Sequence, residues 1–306
     1  MIHLGTNPIA WSNDDLPALG GETPLAQCLT EARAAGFEGV ELGNKFPREP
    51  KALAAVLAAH GLRHVSGWYS GELLNRDVEA EIAAMAPHLA LLKANGAKVL
   101  IYAEVTGCIH GQQHVPLSRR PVMDEAAWPG FCARLTALAA YVRAQGLRLV
   151  VHHHMGTVIE TEAEIDRLMA GTGADVSLLL DAGHATFAGA DPVALAVRYA
   201  ARIHHVHAKD IRLNRLAQAK AEDWSFLDAV IAGVFTVPGD GGVDFPGIFA
   251  ALRAGGYDDG WVVVEAEQDP AKAHPFTYAK LGHANLTRML TAAGYAIAAP
   301  LPVPVA

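Results

Sequence analysis

Two short apolar segments of this sequence end abruptly in residues that can bind a metal or transfer a proton. The first runs from Leu178 to His184 (L-L-L-D-A-G-H), and the second runs from Ile203 to Asp210 (I-H-H-V-H-A-K-D). A buried strand explains the apolar part of each segment, but it does not explain why Asp, His and Lys follow directly. When several parallel strands of one sheet end this way, their polar ends can meet at one site. The sequence therefore predicts an active site at the carboxyl ends of parallel strands.

Four predicted strands carry candidate metal ligands at their carboxyl ends. His152 ends the fifth strand and Asp181 the sixth, while His207 ends the seventh and Glu265 the eighth. Imidazole nitrogens combined with carboxylate oxygens favour Mn²⁺, Co²⁺, Fe²⁺ or Zn²⁺ over Mg²⁺, which prefers oxygen ligands. Asp181, His207 and Glu265 are the strongest candidates, because an unpaired buried carboxylate is costly and a metal ion removes that cost. A single His at a strand end has an equally good structural explanation, as a partner of the backbone.

Other polar residues near the same strand ends are candidates for proton transfer or substrate binding. Beside the candidate ligands lie His154, His184, Lys209 and Glu267. The ends of the first four strands carry Asn7, Trp11, Glu41, Lys45, Trp68 and Glu104. Such side chains suit a pocket for a polyhydroxylated ring, with Trp as a stacking surface. The alternative explanation is ordinary loop polarity, which for Lys45 fits equally well.

Strand-like and helix-like segments alternate along almost the whole chain. Strands are predicted at 2–9, 38–43, 62–68, 98–103, 147–152, 176–181, 203–207 and 261–266. Helices are predicted at 24–35, 49–59, 76–94, 125–145, 161–170, 191–201, 244–255 and 277–293. Several of these helices are followed by Gly, as at Gly36 and Gly146, which is typical of a left-handed cap.

Eight such pairs without a break in composition predict one α/β domain, a single (β/α)8 TIM barrel over residues 1–295. A doubly wound open sheet is the alternative, but no G-x-G-x-x-G follows the first strand. The segments 104–124 and 211–243 are predicted as long loops on the carboxyl side of the barrel, where they would cover a site. The Pro-rich tail at 296–306 is expected to pack on the surface or against a second subunit, which would make the protein a homo-oligomer.

Composition excludes several functional classes. Of the 306 residues, 51% are hydrophobic and 18% are charged, which predicts a large core. A net charge of -8 without a Lys/Arg-rich block argues against a nucleic-acid partner. The three cysteines form no C-x-x-C pair, which argues against a disulfide scaffold and a zinc ribbon and favours a reducing compartment. With no signal-like start and no apolar run of about 20 residues, we expect a soluble cytoplasmic protein that does not bind membranes.

The candidate ligands resemble those of the xylose-isomerase-like barrels, a superfamily of sugar isomerases, epimerases and endonuclease IV. The resemblance implies Glu, Asp, His and Glu as metal ligands at the ends of strands five to eight. Asp181, His207 and Glu265 match the last three of these ligands. At the fifth strand the sequence V-V-H-H-H-M-G-T contains no Glu, and it offers His152 with His154 beside it. The identity of the fourth ligand therefore stays open.

Longer segments resemble one family of this superfamily, the myo-inosose-2 dehydratases of inositol catabolism. These segments are 5–15 (G-T-N-P-I-A-W-S-N-D-D), 39–47 (G-V-E-L-G-N-K-F-P), 153–157 (H-H-M-G-T) and 264–270 (V-E-A-E-Q-D-P). The resemblance covers about residues 3–290. It implies a carbon-oxygen lyase that dehydrates 2-keto-myo-inositol (scyllo-inosose) to a trihydroxycyclohexane-dione, with Mn²⁺ or Co²⁺. It also implies glutathione as a cofactor.

The implied reaction gives roles to the candidate residues. A metal ion held by the four candidate ligands would polarise the substrate ketone, while a base and an acid move the protons. Candidates for the proton transfers are His184, Lys209 and Glu267, in an order that the sequence leaves open. The main alternative is a sugar or inosose isomerase or epimerase that uses the same metal and an enediolate. An abasic-site endonuclease is disfavoured by the acidic charge, and a catalytically inactive binding barrel is the last alternative.

Overall fold

Eight parallel strands close into a barrel in the computed structural model, which describes residues 1–300. Ten strands occur in these residues: β1 Ile2–Thr6, β2 Gly39–Leu42, β3 Arg63–Gly71, β4 Val99–Glu104, β5 Arg148–His152, β6 Val176–Asp181, β7 Ile203–His207, β8 Asp210–Ile211, β9 Phe235–Thr236 and β10 Gly260–Val264. The barrel order is β1-β10-β7-β6-β5-β4-β3-β2, and β8 pairs with β9 in a separate two-stranded sheet. The predicted TIM barrel is therefore confirmed, and β10 is its eighth strand.

Eleven α-helices lie in the same residues, and most of them connect successive barrel strands. They are α1 Leu25–Ala35, α2 Pro50–Ala59, α3 Val78–Ala94, α4 Trp128–Ala144, α5 Glu162–Gly171, α6 Ala182–Ala188, α7 Pro192–Tyr199, α8 Leu213–Ala221, α9 Phe226–Ile231, α10 Phe245–Ala254 and α11 Pro275–Ala292. Helix α5 begins with a capping box between Thr161 and Glu164. Gly36 and Gly146 have positive φ angles where α1 and α4 end, as the sequence predicted.

The inside of the barrel changes from apolar to polar along the strands. Val150 and Leu179 belong to one buried apolar cluster inside the barrel, and Val263 belongs to another. Side chains two positions apart in a strand lie on the same face. The next inward residue after each of these three is therefore His152, Asp181 and Glu265, respectively. The apolar layer thus supports a polar layer at the carboxyl ends of the strands.

The segment 211–243 is not the long loop that the sequence analysis predicted. It contains α8, α9 and β9, which pack with α6 around their own apolar cluster. Phe226, Val230 and Phe235 are fully buried there, together with Phe187 of α6. The prediction failed because each element is too short for a clear periodic pattern, although together they bury a common core. After Glu104, the last residue of β4, the segment 104–124 is irregular except for an isolated bridge between Pro116 and Ser225 and a short 3-10 turn at Leu117–Arg119.

The start of the predicted Pro-rich tail runs beside the first strand. The backbone N–H of Ile2 donates to the Ala296 carbonyl at 2.9 Å, and the N–H of Ala298 donates to the Ile2 carbonyl at 2.8 Å. Residues 301–306 of the tail lie outside the described residues. Within residues 1–300, no helix has both the length and the apolar character needed to cross a bilayer.

Candidate metal centre and active site

Four side chains from neighbouring strands meet at the carboxyl end of the barrel. They are His152 of β5, Asp181 of β6, His207 of β7 and Glu265, which follows β10, and all four are buried. One potential ligand atom from each lies within 4.8 Å of the others. The His207 Nδ1 atom is 2.8 Å from Glu265 Oε2 and 3.5 Å from Asp181 Oδ2, while His152 Nε2 is 3.6 Å from Asp181 Oδ2. The structure thus brings all four predicted ligands together.

The donor atoms of this cluster fit a divalent metal ion. Asp181 Oδ2, His207 Nδ1 and Glu265 Oε2 are buried atoms that make no hydrogen bond of good geometry in the described structure, although they lie close to one another. The remaining polar atoms of Asp181 and His152 are engaged, since Asp181 Oδ1 accepts from the His184 backbone N–H and His152 Nδ1 lies 2.7 Å from the His153 carbonyl. Unsatisfied buried atoms are costly, and a cation would satisfy all three. Two imidazoles and two carboxylates suit Mn²⁺, Co²⁺, Fe²⁺ or Zn²⁺.

The charges around the cluster keep its carboxylates ionised. Burial alone would raise the pKa of Asp181, but the charge of the Lys209 ammonium group opposes burial, and the pKa lies well below its usual range. In Glu265 burial is likewise outweighed, and Lys209 and His207 lower the pKa. Ionised carboxylates are the form that binds metals. The site is therefore prepared electrostatically for a cation.

Glu41 of β2 lies beneath the cluster and holds two of the β7 histidines. Its Oε1 atom is 2.8 Å from His205 Nε2 and 3.1 Å from His207 Nε2, and it accepts from Ser66 Oγ at 2.5 Å. Its Oε2 atom accepts from Asn7 Nδ2 at 2.8 Å. Because an ionised carboxylate only accepts, the Nε2 atom of His207 carries a hydrogen that it donates to Glu41, and Nδ1 is the ring atom that would bind a metal ion after losing its own hydrogen. Glu41 was predicted to bind substrate, and in the structure its carboxylate contacts His205 and His207.

Lys209 joins the cluster to a second group of buried polar residues. Its Nζ donates to Glu267 Oε1 at 2.6 Å and lies 2.9 Å from His184 Nε2. Burial opposes the charged form of Lys209, but Glu265, Glu267 and Asp181 outweigh it and raise the pKa of the ammonium group. Burial raises the pKa of Glu267 to about 8, against the opposing charge of Lys209.

The ring centroids of His154 and His184 are 3.9 Å apart. Burial lowers the pKa of both rings, so they are neutral.

A cavity of about 220 Å³ opens directly beside these two groups. Five of the predicted site residues line it: Asn7, Trp68, His154, Glu265 and Glu267. Six polar lining residues were missed by the sequence analysis: Asp14, Asp15, Asn44, Arg48, Ser70 and His110. A signal for three of them was present, because Asp14, Asp15 and Asn44 lie in the segments 5–15 and 39–47 that carry the family resemblance.

Besides Glu41, three residues predicted to bind substrate do not line this cavity and instead contact the surrounding loops. The Trp11 indole donates to Glu31 Oε2 at 2.7 Å. The Lys45 ammonium donates to the carbonyls of Gly20, Gly21 and Thr23. Glu104 accepts from Tyr102 Oη at 2.5 Å and from the Leu73 N–H at 2.9 Å. The contacts of Trp11 and Lys45 join residues 20 or more positions apart, which no local sequence pattern encodes. Glu104 combines a partner on its own strand, Tyr102, with the distant Leu73.

Comparison with known proteins places the chain in a family. The family model for the xylose isomerase-like TIM barrel matches residues 29–288. The chain therefore belongs to the xylose isomerase-like TIM barrel family. Solved structures of similar fold include the probable 3-DHS dehydratase AsbF from Bacillus anthracis, with a TM-score of 0.68 at 15% identity over 93% of this chain and 98% of that one. L-ribulose 3-epimerase gives a TM-score of 0.66 at 20% identity over 96% of each chain. These two likenesses show the fold alone.

Curated relatives are much more similar in sequence. The rhizopine catabolism protein MocC of Rhizobium meliloti is 53% identical over 294 residues, which cover 96% of this chain and 90% of the relative. The inosose dehydratase of Geobacillus thermodenitrificans is 46% identical over 280 residues, which cover 91% of this chain and 94% of the relative. The inosose dehydratase of Lacticaseibacillus casei is 44% identical over the same length.

Removing one ligand of the four-residue cluster should reduce metal binding. We expect Asp181→Asn and His207→Gln to weaken the affinity for Mn²⁺ or Co²⁺ by at least about tenfold, because each change removes a ligand or its charge. Metal-stripped protein is titrated with each ion, and bound metal is measured after equilibrium dialysis. His204→Gln is the matched control, since His204 lies on the same strand but outside the cluster. Unchanged affinity in both test variants would contradict a metal centre at this position.

Removing the charge of Glu41 should weaken the metal affinity of the same site, because Glu41 contacts the candidate ligand His207. In Glu41→Gln the His207 ring is no longer held by a carboxylate, and we expect affinity to fall by about 10- to 100-fold. The metal titration above measures this effect, together with the visible absorption of bound Co²⁺. Glu38→Gln is the control, because Glu38 is also buried but pairs with Arg63 and His3 near the start of β2. An affinity equal to that of the control would show that Glu41 does not orient His207.

Proposed function

We propose that this protein is a metal-dependent dehydratase of inositol catabolism that removes water from 2-keto-myo-inositol (scyllo-inosose). The observation that carries the proposal is the convergence of two imidazoles and two carboxylates beside a small polar cavity. The 46% identity to an inosose dehydratase supports the reaction and its substrate. A cavity of about 220 Å³ lies below the usual range for drug-sized ligands and suits a single small ring.

The four-residue cluster would hold the metal ion, and the cavity beside it would hold the substrate ring. A bound divalent metal would polarise the substrate ketone and so make the neighbouring C–H bond more acidic. Trp68 forms part of the cavity wall, with its ring 5.4 Å from the rings of both His152 and His154. Its indole surface suits the C–H face of a cyclitol, while the surrounding polar groups suit the hydroxyls.

Among the candidates for proton transfer, the geometry favours Glu267 as the base. Glu267 lines the cavity, whereas Lys209 and His184 are not among the lining residues. Lys209 is surrounded by three carboxylates, which keep it charged, so it has no free lone pair to accept a proton. In the proposed reaction Glu267 takes the proton from the carbon next to the ketone. Lys209 fixes the position of the Glu267 carboxylate and stabilises negative charge at this end of the barrel.

The proposed function is tested by the mass of the product. We expect metal-stripped protein to be inactive on scyllo-inosose and to form a product lighter by one water when Mn²⁺ or Co²⁺ is added. A product of unchanged mass would support the alternative, an isomerase or epimerase on the same barrel. No reaction with either ion would contradict the dehydratase. Glutathione, which the family resemblance implies, is added in a parallel arm. Turnover that occurs only in this arm would show that glutathione is required.

Replacing the proposed base should remove activity but not the metal. We expect Glu267→Gln to lower kcat by about 10²- to 10⁴-fold, because general base catalysis contributes about that much. The metal titration and the product assay are performed on the same preparation, with Glu38→Gln as a control away from the cavity. If Glu267→Gln keeps full activity, Glu267 is not the base. A parallel loss of metal would make Glu267 part of the metal centre instead.

The similarity to MocC favours a second candidate function, in which the chemistry is the same but the preferred substrate differs. That relative is named a rhizopine catabolism protein and shares 53% of its aligned residues with this chain. A compound of rhizopine breakdown would then be the preferred substrate. A kcat/KM on scyllo-inosose above about 10⁴ M⁻¹s⁻¹ would support the inosose as the substrate, whereas a value several orders of magnitude lower would favour the second candidate.

A further inference from the structure

The Asn13-Asp14-Asp15 segment is part of the family resemblance and lies in the loop between β1 and α1. Asn13 Oδ1 accepts from the backbone N–H groups of Asp15 and Leu16, both at 2.8 Å, and so forms the turn. The Asp14 carboxylate accepts from the Asn44 N–H at 3.0 and 3.2 Å, which ties the first loop to the second. Asp15 has neither of these structural tasks. It lines the cavity beside the metal centre.

The polar neighbour of Asp15 is a histidine from a different loop. His110 lies in the segment that follows β4, and its Nε2 atom is 3.7 Å from Asp15 Oδ1. The His110 ring is 5.0 Å from the ring of His154 and 6.2 Å from the ring of Trp68. Both side chains line the cavity and are mostly shielded, with 27% of Asp15 and 12% of His110 exposed. Two loops therefore place a carboxylate and an imidazole side by side at the substrate cavity.

The separation of these two atoms suits a shared hydroxyl group. At 3.7 Å they are too far apart for a hydrogen bond to each other. One oxygen atom can nevertheless lie about 2.8 Å from both of them. Asp15 would accept the hydrogen of that hydroxyl, and His110 Nε2–H would donate to its oxygen. The hydroxyl is then held with a lone pair directed at a proton donor.

We propose that Asp15 and His110 release the departing hydroxyl of the substrate as water, a proposal that rests on the proposed dehydratase function. Glu267 takes the proton from the carbon next to the ketone, and the electron pair of that C–H bond forms the new carbon-carbon double bond. The bond from the next carbon to oxygen breaks, and its electron pair stays on the oxygen. That oxygen takes the proton of His110 Nε2 and leaves as water. Glu267 then releases its proton to solvent, His110 regains one from solvent, and no oxidant or reductant is needed.

The pair also separates a dehydratase from an epimerase. Both reactions begin with removal of the proton from the carbon next to the ketone, so both need a general base such as Glu267. Only the dehydration also breaks a carbon-oxygen bond, and hydroxide is a poor leaving group unless an acid protonates it. Asp15 and His110 perform this second step. They lie on loops, whereas the metal ligands and the base lie at the strand ends.

The test separates the two steps by running the reaction in D₂O with Mn²⁺-loaded protein and scyllo-inosose. Water loss is measured from the product, and deuterium uptake next to the ketone is measured from the unreacted substrate, both by mass. We expect His110→Asn to lower the rate of water loss by about 10²- to 10⁴-fold. We expect Asp15→Asn to lower it by at least about tenfold. Deuterium uptake into the substrate should continue, and metal content should be unchanged. A reaction without enzyme gives the background exchange.

His114→Asn is the matched control, because His114 is exposed on the same loop and lies outside the cavity. The proposal is overturned if water loss in both test variants stays within about threefold of wild type. It is also overturned if water loss and deuterium uptake fall together, because the pair would then serve the first step or the fold. Failure of wild type to release water at all would instead contradict the proposed function, and with it this role.

Discussion

The site depends on a buried ammonium group that compensates several buried carboxylates. Lys209 Nζ lies 2.6 Å from Glu267, 3.2 Å from Glu265 and 3.8 Å from Asp181, and the side chain is fully buried. Buried charges are tolerated only when they are paired and hydrogen-bonded. One lysine does not balance the ionised carboxylates of Asp181, Glu265 and Glu41, so negative charge remains in excess at this end of the barrel. That excess is the physical reason why the cluster is suited to a divalent cation.

The apolar layer below the cluster makes this charge arrangement specific. Val150, Leu179 and Val263 fill the barrel under the polar ends of their strands. They exclude water from below, and the low local polarity strengthens the interaction between each charge and its partner. Glu41 and His205 extend the polar network down one side of the barrel, where Ser66 completes it. The orientation of His207 is thus fixed by contacts that are themselves buried.

The barrel strands and the loops contribute different parts of the active site. The strand ends supply the candidate metal ligands and Glu267, on positions whose spacing the sheet fixes. The loops supply the outer wall of the cavity, including Asp15 and His110. Trp11 and Lys45 hold the first of these loops in place through contacts with Glu31 and with three backbone carbonyls. Catalytic groups on loops need such bracing, since a small displacement weakens catalysis strongly.

The sequence by itself determined the barrel and the convergence of the four candidate ligands. Every barrel strand lies within about three residues of its predicted bounds, because apolar runs and period-two alternation are local properties. The closure of parallel strands then brings their carboxyl ends together, so His152, Asp181, His207 and Glu265 could be named in advance. Only the tertiary structure decided that Glu41 holds His207, that Lys45 braces a loop, and that His110 faces Asp15. These contacts join residues 22 to 166 positions apart through side-chain directions, which no local pattern encodes.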